Sequence, residues 1–168
     1  MIPIWLSVAK AFIGIAEVPG PASNPTILRW ARDIGTPSWY DNDDQAWCAV
    51  FMNRILLACQ LPMSGTGFAL IRAESFTTWG MALDQGPTPG AVMVFGRYGG
   101  GHVGFYVGES SDGTMLRILG GNQGNHVSEM WVATKRLLTT RWPAGVDLPA
   151  PGRVVLKMDG TSLSQNEA

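Results

Sequence analysis

The spacing of hydrophobic residues changes part-way along the chain, and this change limits the fold more than any other feature. In the first half apolar residues recur at helical spacing; in the second they form short runs bounded by Gly, Pro, Asp and Ser. Trp5, Val8, Ala9, Phe12 and Ala16 mark a first helix. Ser23-Asn24-Pro25 sets an N-cap before a proline at the first helical position. Ile27, Trp30, Ala31 and Ile34 form the buried stripe of that second helix, and Gly35 closes it. A third, strongly apolar helix opens at Trp47-Cys48-Ala49-Val50-Phe51, runs to about Cys59 and stops before Pro62; another is expected over Ala69 to Trp79. Strands follow at Ala91 to Phe95, His102 to Val107 and Met115 to Leu119, with weaker ones at Val127 to Val132 and Lys135 to Leu138. Helices first and then an antiparallel meander predict an α+β fold, with N-terminal helices packed on a small antiparallel sheet.

A chain of 168 residues fits one domain. We place it at residues 1–143, with 144–168 as a C-terminal extension that is partly disordered: Pro and Gly rise after Pro143, and Thr161 to Ala168 is polar. Hydrophobic residues at 46% suffice for a core. A net charge of −1 gives no reason to expect nucleic acid or an anionic membrane as partner. No segment is long enough to span a bilayer, so no membrane insertion is expected. The apolar start lacks a basic leader region, and Lys10 interrupts it, which favours a packed helix over a signal peptide.

The two cysteines do not form a disulfide framework. On one helix Cys48 and Cys59 stand roughly 16 Å apart at about 1.5 Å rise per residue, whereas a disulfide needs Cα atoms within about 7 Å. Cys48 lies in the first helical turn, where unpaired N–H groups and the helix dipole favour a thiolate. Cys59, near the other end, reads as a small core residue. His102 opens a strand after three glycines. Pairing His102–Val107 with Met115–Leu119 about the turn Ser110-Ser111-Asp112-Gly113 sets His102 opposite Asn122, with Gln123 the alternative if the register slips by one. A Cys–His pair needs a third group to hold the imidazole, and an amide serves.

Other features read as structure. Asp41, Asp43 and Asp44 offer oxygen ligands to Ca²⁺, but their spacing is not that of an EF-hand loop, and a solvated loop is the favoured reading. No metal or cofactor is expected. His126 with Glu129 reads as a polar strand face, and Gly99-Gly100-Gly101 precedes a strand instead of opening a helix, so it is no phosphate loop.

The segments Ala46-Trp47-Cys48-Ala49-Val50-Phe51, Gly101-His102-Val103-Gly104-Phe105-Tyr106-Val107-Gly108 and Leu119-Gly120-Gly121-Asn122-Gln123 resemble the papain-like bacterial wall hydrolases, closest to the CHAP group and its NlpC-type relatives. Glu17-Val18-Pro19-Gly20, Ser23-Asn24-Pro25 and Arg141-Trp142-Pro143 resemble one subgroup found in phages and bacteria. The resemblance implies a papain-like fold. It also implies Cys48 as nucleophile, His102 as general base and Asn122 as the orienting residue. The Cys48 N–H would serve an oxyanion hole, with Gln45 or Asn42 as side-chain donor, and Trp47 and Gln123 as further substrate-side candidates.

The implied function is a cysteine hydrolase, an endopeptidase or N-acetylmuramoyl-L-alanine amidase, that cuts peptidoglycan stem-peptide or muramoyl–L-alanine amide bonds. Such an enzyme is made in the cytoplasm and acts on the wall after release or delivery, as an endolysin, a tail-associated lysin or a secreted antibacterial effector with an immunity protein as partner. The alternatives are a transferase on the same triad and a non-catalytic wall-binding or virion module.

Overall fold

The computed structural model describes residues 2–158. They form three α-helices and one six-stranded antiparallel sheet, the α+β arrangement expected. The helices are α1 (Ile4–Lys10), α2 (Pro25–Ile34) and α3 (Cys48–Ala58). The strands are β1 (Met81–Ala82), β2 (Val92–Arg97), β3 (Gly100–Glu109), β4 (Met115–Gly120), β5 (Ser128–Ala133) and β6 (Leu137–Trp142).

The second helix forms as its sequence predicts. Asn24 Oδ1 accepts the Thr26 N–H at 2.8 Å, Pro25 begins the helix, and Gly35 ends it in the left-handed region at φ 79°. α1 is shorter than expected. It ends at Lys10, Gly14 turns the chain at φ 97°, and Ala16 pairs instead with His126 in an isolated antiparallel bridge. The helix expected over Ala69 to Trp79 is two 3₁₀ turns, Gly67–Ile71 and Ala73–Thr77. Arg72 between them is extended, with φ −115° and ψ 125°, which breaks the helical run.

The strands run in the order β1-β6-β2-β3-β4-β5. β2 to β5 are the meander; β6 does not continue it but crosses back to the outer side of β2, and β1 pairs with β6 there. β3 and β4 pair with Phe105 opposite Leu119 and Tyr106 opposite Ile118. This is the register expected from the Ser110–Gly113 turn. Its last part shifts at a bulge between Tyr106 and Gly108.

α3 is the centre of the core. Every side chain from Cys48 to Asn53 is buried, and the helix packs on β3, β4 and α2. Asn53 is the polar member. Its amide donates to Ser64 Oγ at 2.9 Å and the Leu70 carbonyl at 3.0 Å, and Oδ1 accepts the Ser64 N–H at 2.8 Å. These bonds satisfy a buried amide and tie the first 3₁₀ turn to the helix carrying Cys48.

Past residue 143 the extension is docked along the end of β3. Glu109 donates its N–H to the Val154 carbonyl and accepts from the Leu156 N–H, both at 2.8 Å. The Arg153 guanidinium pairs with the Glu109 carboxylate, and the Val154 N–H reaches Tyr106 Oη at 3.3 Å. The expected disordered stretch Thr161 to Ala168 lies outside the described residues.

Candidate active site

Cys48 is the first residue of α3, whose opening turn has no side-chain cap. The side chain is 6% exposed. Its sulfur is met by the backbone N–H groups of Val103 and Ala49. The Val103 contact matters most, because it seats the thiol against β3 at the residue after His102. Burial pushes the Cys48 thiol up from its ordinary value; the two N–H groups and Arg97 pull it down, and Glu74 raises it further. Burial is the largest of these, so the net direction is upward, against the thiolate that helix position alone favours. Cys59 caps the C-terminal end of α3 and is half-buried; both cysteines are free.

His102 is 2% exposed and stacks on Phe95, ring centroids 6.5 Å apart. Its Nε2 lies 3.0 Å from Gln123 Oε1. The orientation of the Gln123 amide follows from its other side: Nε2 donates to the Ser128 carbonyl at 2.5 Å and the Ile118 carbonyl at 3.2 Å. Flipping the amide would set an oxygen against two carbonyl oxygens, so Oε1 must face the ring. An oxygen acceptor there requires the ring to carry its proton on Nε2, and a neutral imidazole then holds its basic lone pair on Nδ1. The elements around Gln123 thereby select one tautomer of His102.

Gln123, the alternative to Asn122 for a register slipped by one, is thus the partner at His102 Nε2. β4 ends at Gly120, before the paired ladder reaches residue 122. Asn122 then adopts φ 56°, a left-handed conformation that Asn tolerates, and the turn swings the next side chain onto the ring. Asn122 is 3% exposed, and its Oδ1 has no hydrogen-bond partner. The glycines on either side of this contact are steric requirements. A Cβ on Gly120 would lie 3.3 Å from His102 Nε2, and one on Gly121 would lie 2.7 Å from the Trp47 ring.

The remaining candidates take structural places. Trp47 is fully buried, so it lines no open groove; its indole N–H donates to Glu17 Oε1 at 2.7 Å. The amides of Asn42 and Gln45 bond within their own loop, to Asp41 Oδ1 at 3.2 Å and the Trp39 carbonyl at 3.5 Å. His126 is exposed, with Nδ1 donating to the Gly124 carbonyl at 2.6 Å. Glu129 pairs with Arg117 at 3.5 Å and Lys10 at 3.9 Å. Arg97 and Glu74, the charged groups that bear on Cys48, escaped the sequence reading. They come near it through tertiary packing: a Cβ on Gly101 would meet Glu74 Oε1 at 3.3 Å.

The three aspartates have different surroundings. Asp43 is buried and uses Oδ2 to accept the Val18 and Asn24 N–H groups at 3.1 and 2.7 Å, while Asp41 and Asp44 are exposed. Among the described residues no group of three His, Cys, Asp or Glu side chains is arranged to hold a metal ion. Activity should therefore survive EGTA; a large loss restored by added Ca²⁺ would contradict this.

Comparison with protein-family models, curated proteins and solved structures gives no match.

Gln123→Leu should lower kcat roughly ten- to a hundredfold, since one hydrogen bond to a group that becomes charged is worth about 1.5–3 kcal/mol. KM should stay within about twofold, because the amide orients the ring and binds no substrate. Asn122→Gly, which tolerates the left-handed backbone, should fall less. Steady-state kinetics on a wall-derived peptide, the substrate that the motif resemblance implies, decides between them; a deeper loss in Asn122→Gly would favour that residue.

Proposed function

We propose that the chain is a papain-like cysteine hydrolase that cleaves an amide or peptide bond of peptidoglycan, with Cys48 as nucleophile, His102 as general base and Gln123 as the residue that positions the ring. One observation supports the reading: the Cys48 thiol sits at the start of α3 against the Val103 N–H, the residue after a histidine whose tautomer is set by a fixed amide.

In this mechanism the lone pair on His102 Nδ1 takes the Cys48 proton as the sulfur attacks the scissile carbonyl carbon. The imidazolium that forms keeps its Nε2–H on Gln123 Oε1. The oxyanion develops near the first turn of α3, where the Cys48 backbone N–H is a donor. The intermediate collapses as Nδ1–H protonates the leaving amine, forming a thioester. Water, losing its proton to Nδ1, attacks the thioester and releases the carboxylate and the thiol. Because burial raises the Cys48 thiol, proton removal accompanies attack, and a resting ion pair is not required.

The substrate class rests on the motif resemblance alone. Digestion of purified peptidoglycan with mass spectrometry of the fragments tests it: new amino and carboxyl termini on stem peptides, or stems freed from muramic acid, are the expected products. Intact walls after exhaustive incubation would refute it. Transfer to an added amine in place of water would show as an amide-capped product. The low exposure of Cys48 favours one rival, a non-catalytic module. That rival requires a thiol inert to iodoacetamide in the presence of wall fragments.

A further inference from the structure

Most large apolar side chains on a protein surface stand alone and call for no explanation. Trp39 and Phe68 do not stand alone. They are 52% and 53% exposed, come from different parts of the chain, and meet with ring centroids 6.1 Å apart and planes tilted by 47°. Both are held from behind. The Trp39 ring lies against that of buried Tyr40, centroids 6.4 Å apart, and Tyr40 Oη donates to the Gln45 and Ala46 carbonyls at 3.2 and 3.1 Å. Phe68 belongs to the 3₁₀ turn that Asn53 ties to α3. The pair is a pre-formed aromatic shelf open to solvent.

The shelf is joined to both halves of the catalytic site. On one side, the loop that Tyr40 bonds leads directly into Cys48, and Gln45 Nε2 donates to the Trp39 carbonyl at 3.5 Å. On the other, the Arg72 guanidinium lies over the Phe68 ring, 5.2 Å from its centroid, and its Nε stands 3.6 Å from Glu74 Oε2. Glu74 in turn abuts Gly101, the residue before His102: a Cβ there would lie 3.3 Å from Oε1. The Glu74 charge also reaches the Cys48 sulfur.

Chemistry narrows the occupant. The rim holds one cation and one anion paired with each other, so no net charge selects an ionic ligand. Two half-exposed rings offer on the order of 200 Å², well below the roughly 800 Å² per partner that a stable protein interface buries. A flat apolar face edged by N–H donors and carboxylate acceptors instead matches a pyranose, whose C–H faces are apolar and whose edge carries hydroxyls.

We propose that Trp39 and Phe68 form a sugar-stacking subsite, with Arg72 and Glu74 as its hydroxyl-binding rim, that holds the glycan strand of the substrate. The proposal rests on the peptidoglycan reading above and deepens it. The preferred substrate is then a stem still joined to its sugars, not a freed peptide.

The test uses the full chain with Cys48→Ala, so that nothing bound is cut, and titration calorimetry against three probes. These are a disaccharide-linked stem peptide, the same stem without sugar, and a short oligomer of N-acetylglucosamine. The sugar-linked stem should bind about tenfold tighter than the bare one, the upper worth of one aromatic contact, and the oligomer should bind on its own. Trp39→Leu and Phe68→Leu keep apolar bulk but lose the flat ring, and each should remove most of the difference. Trp39→Phe and Phe68→Tyr should keep it, and thermal melts check that every variant is folded. Equal binding of linked and bare stems, or full discrimination in both Leu variants, overturns the subsite. Self-association in sedimentation that Trp39→Leu abolishes also overturns it, because a second copy would then cover the shelf. Wall digestion by the unsubstituted chain is scored separately. Cut walls without sugar discrimination overturn the subsite alone. Uncut walls with ring-dependent binding of the oligomer overturn the hydrolase reading alone, and uncut walls with no sugar binding overturn both.

Discussion

On the proposed mechanism Cys48→Ala should abolish wall hydrolysis, and Cys59→Ala should leave it largely intact, when folded variants are compared for turbidity clearance and fragment release. The two thiols share one helix but not one environment. Cys48 meets two backbone N–H groups at the start of α3 and touches the strand that carries His102. Cys59 caps the far end, where burial raises its thiol and no other cause acts on it. Removing the nucleophile removes the thioester route altogether, whereas shortening Cys59 deletes one partly buried sulfur. Alanine keeps the volume at residue 48 nearly filled, so circular dichroism should show a native fold. Equal loss of activity in both variants would remove Cys48 from its role.

His102→Ala should lose about 10²–10⁴-fold in kcat/KM, the usual worth of general acid–base help. The upper part of that range is expected here, because the thiol is raised by burial and has little thiolate to fall back on. His126→Ala should change turnover far less: its ring is exposed, and its Nδ1 contact is to its own turn. The comparison is sharp because the described chain has two histidines: the His102 ring bonds Gln123 across 21 residues of chain, and His126 lies just beyond Gln123 in sequence. An inactive His126→Ala beside an active His102→Ala would dismantle the base assignment and the ring geometry built on it.

Much of this architecture is local, and local features could be read from the chain. The β3–β4 register follows from a polar turn: Gly113 takes φ 71°, and Ser110 bonds back to Met115. The α2 caps follow from Asn24 and Gly35. Where reading failed, a contact distant in sequence decided the outcome. The apolar spacing of Phe12 and Ala16 reflects Phe12 packing on Trp30 and Ala16 bridging His126, not a continuing helix. β6 could not be assigned to the β2 edge from its own pattern, since an antiparallel strand reads the same on either side of a sheet. The His102 ring meets Gln123, the alternative to Asn122, because a left-handed residue changes which side chain faces a partner. Arg97 and Glu74 gave no signal in sequence: charged residues are common on surfaces, and only the packing of Gly101 brings Glu74 near.

The docked stretch after residue 143 bears on the order in which this chain can finish folding as it is made. Tyr106 and Glu109 are synthesised more than forty residues ahead of Arg153 and Val154, their eventual partners. Until those residues emerge, a glutamate destined for the interior has no guanidinium beside it, and the end of β3 has an open edge. The hairpin carrying His102 can close early, because its contacts are short-range. The opposite end closes as locally against β4, with Glu109 opposite Leu116, but its other side waits for residues 153–156. The last contacts that β3 acquires are therefore those at Glu109 and Tyr106.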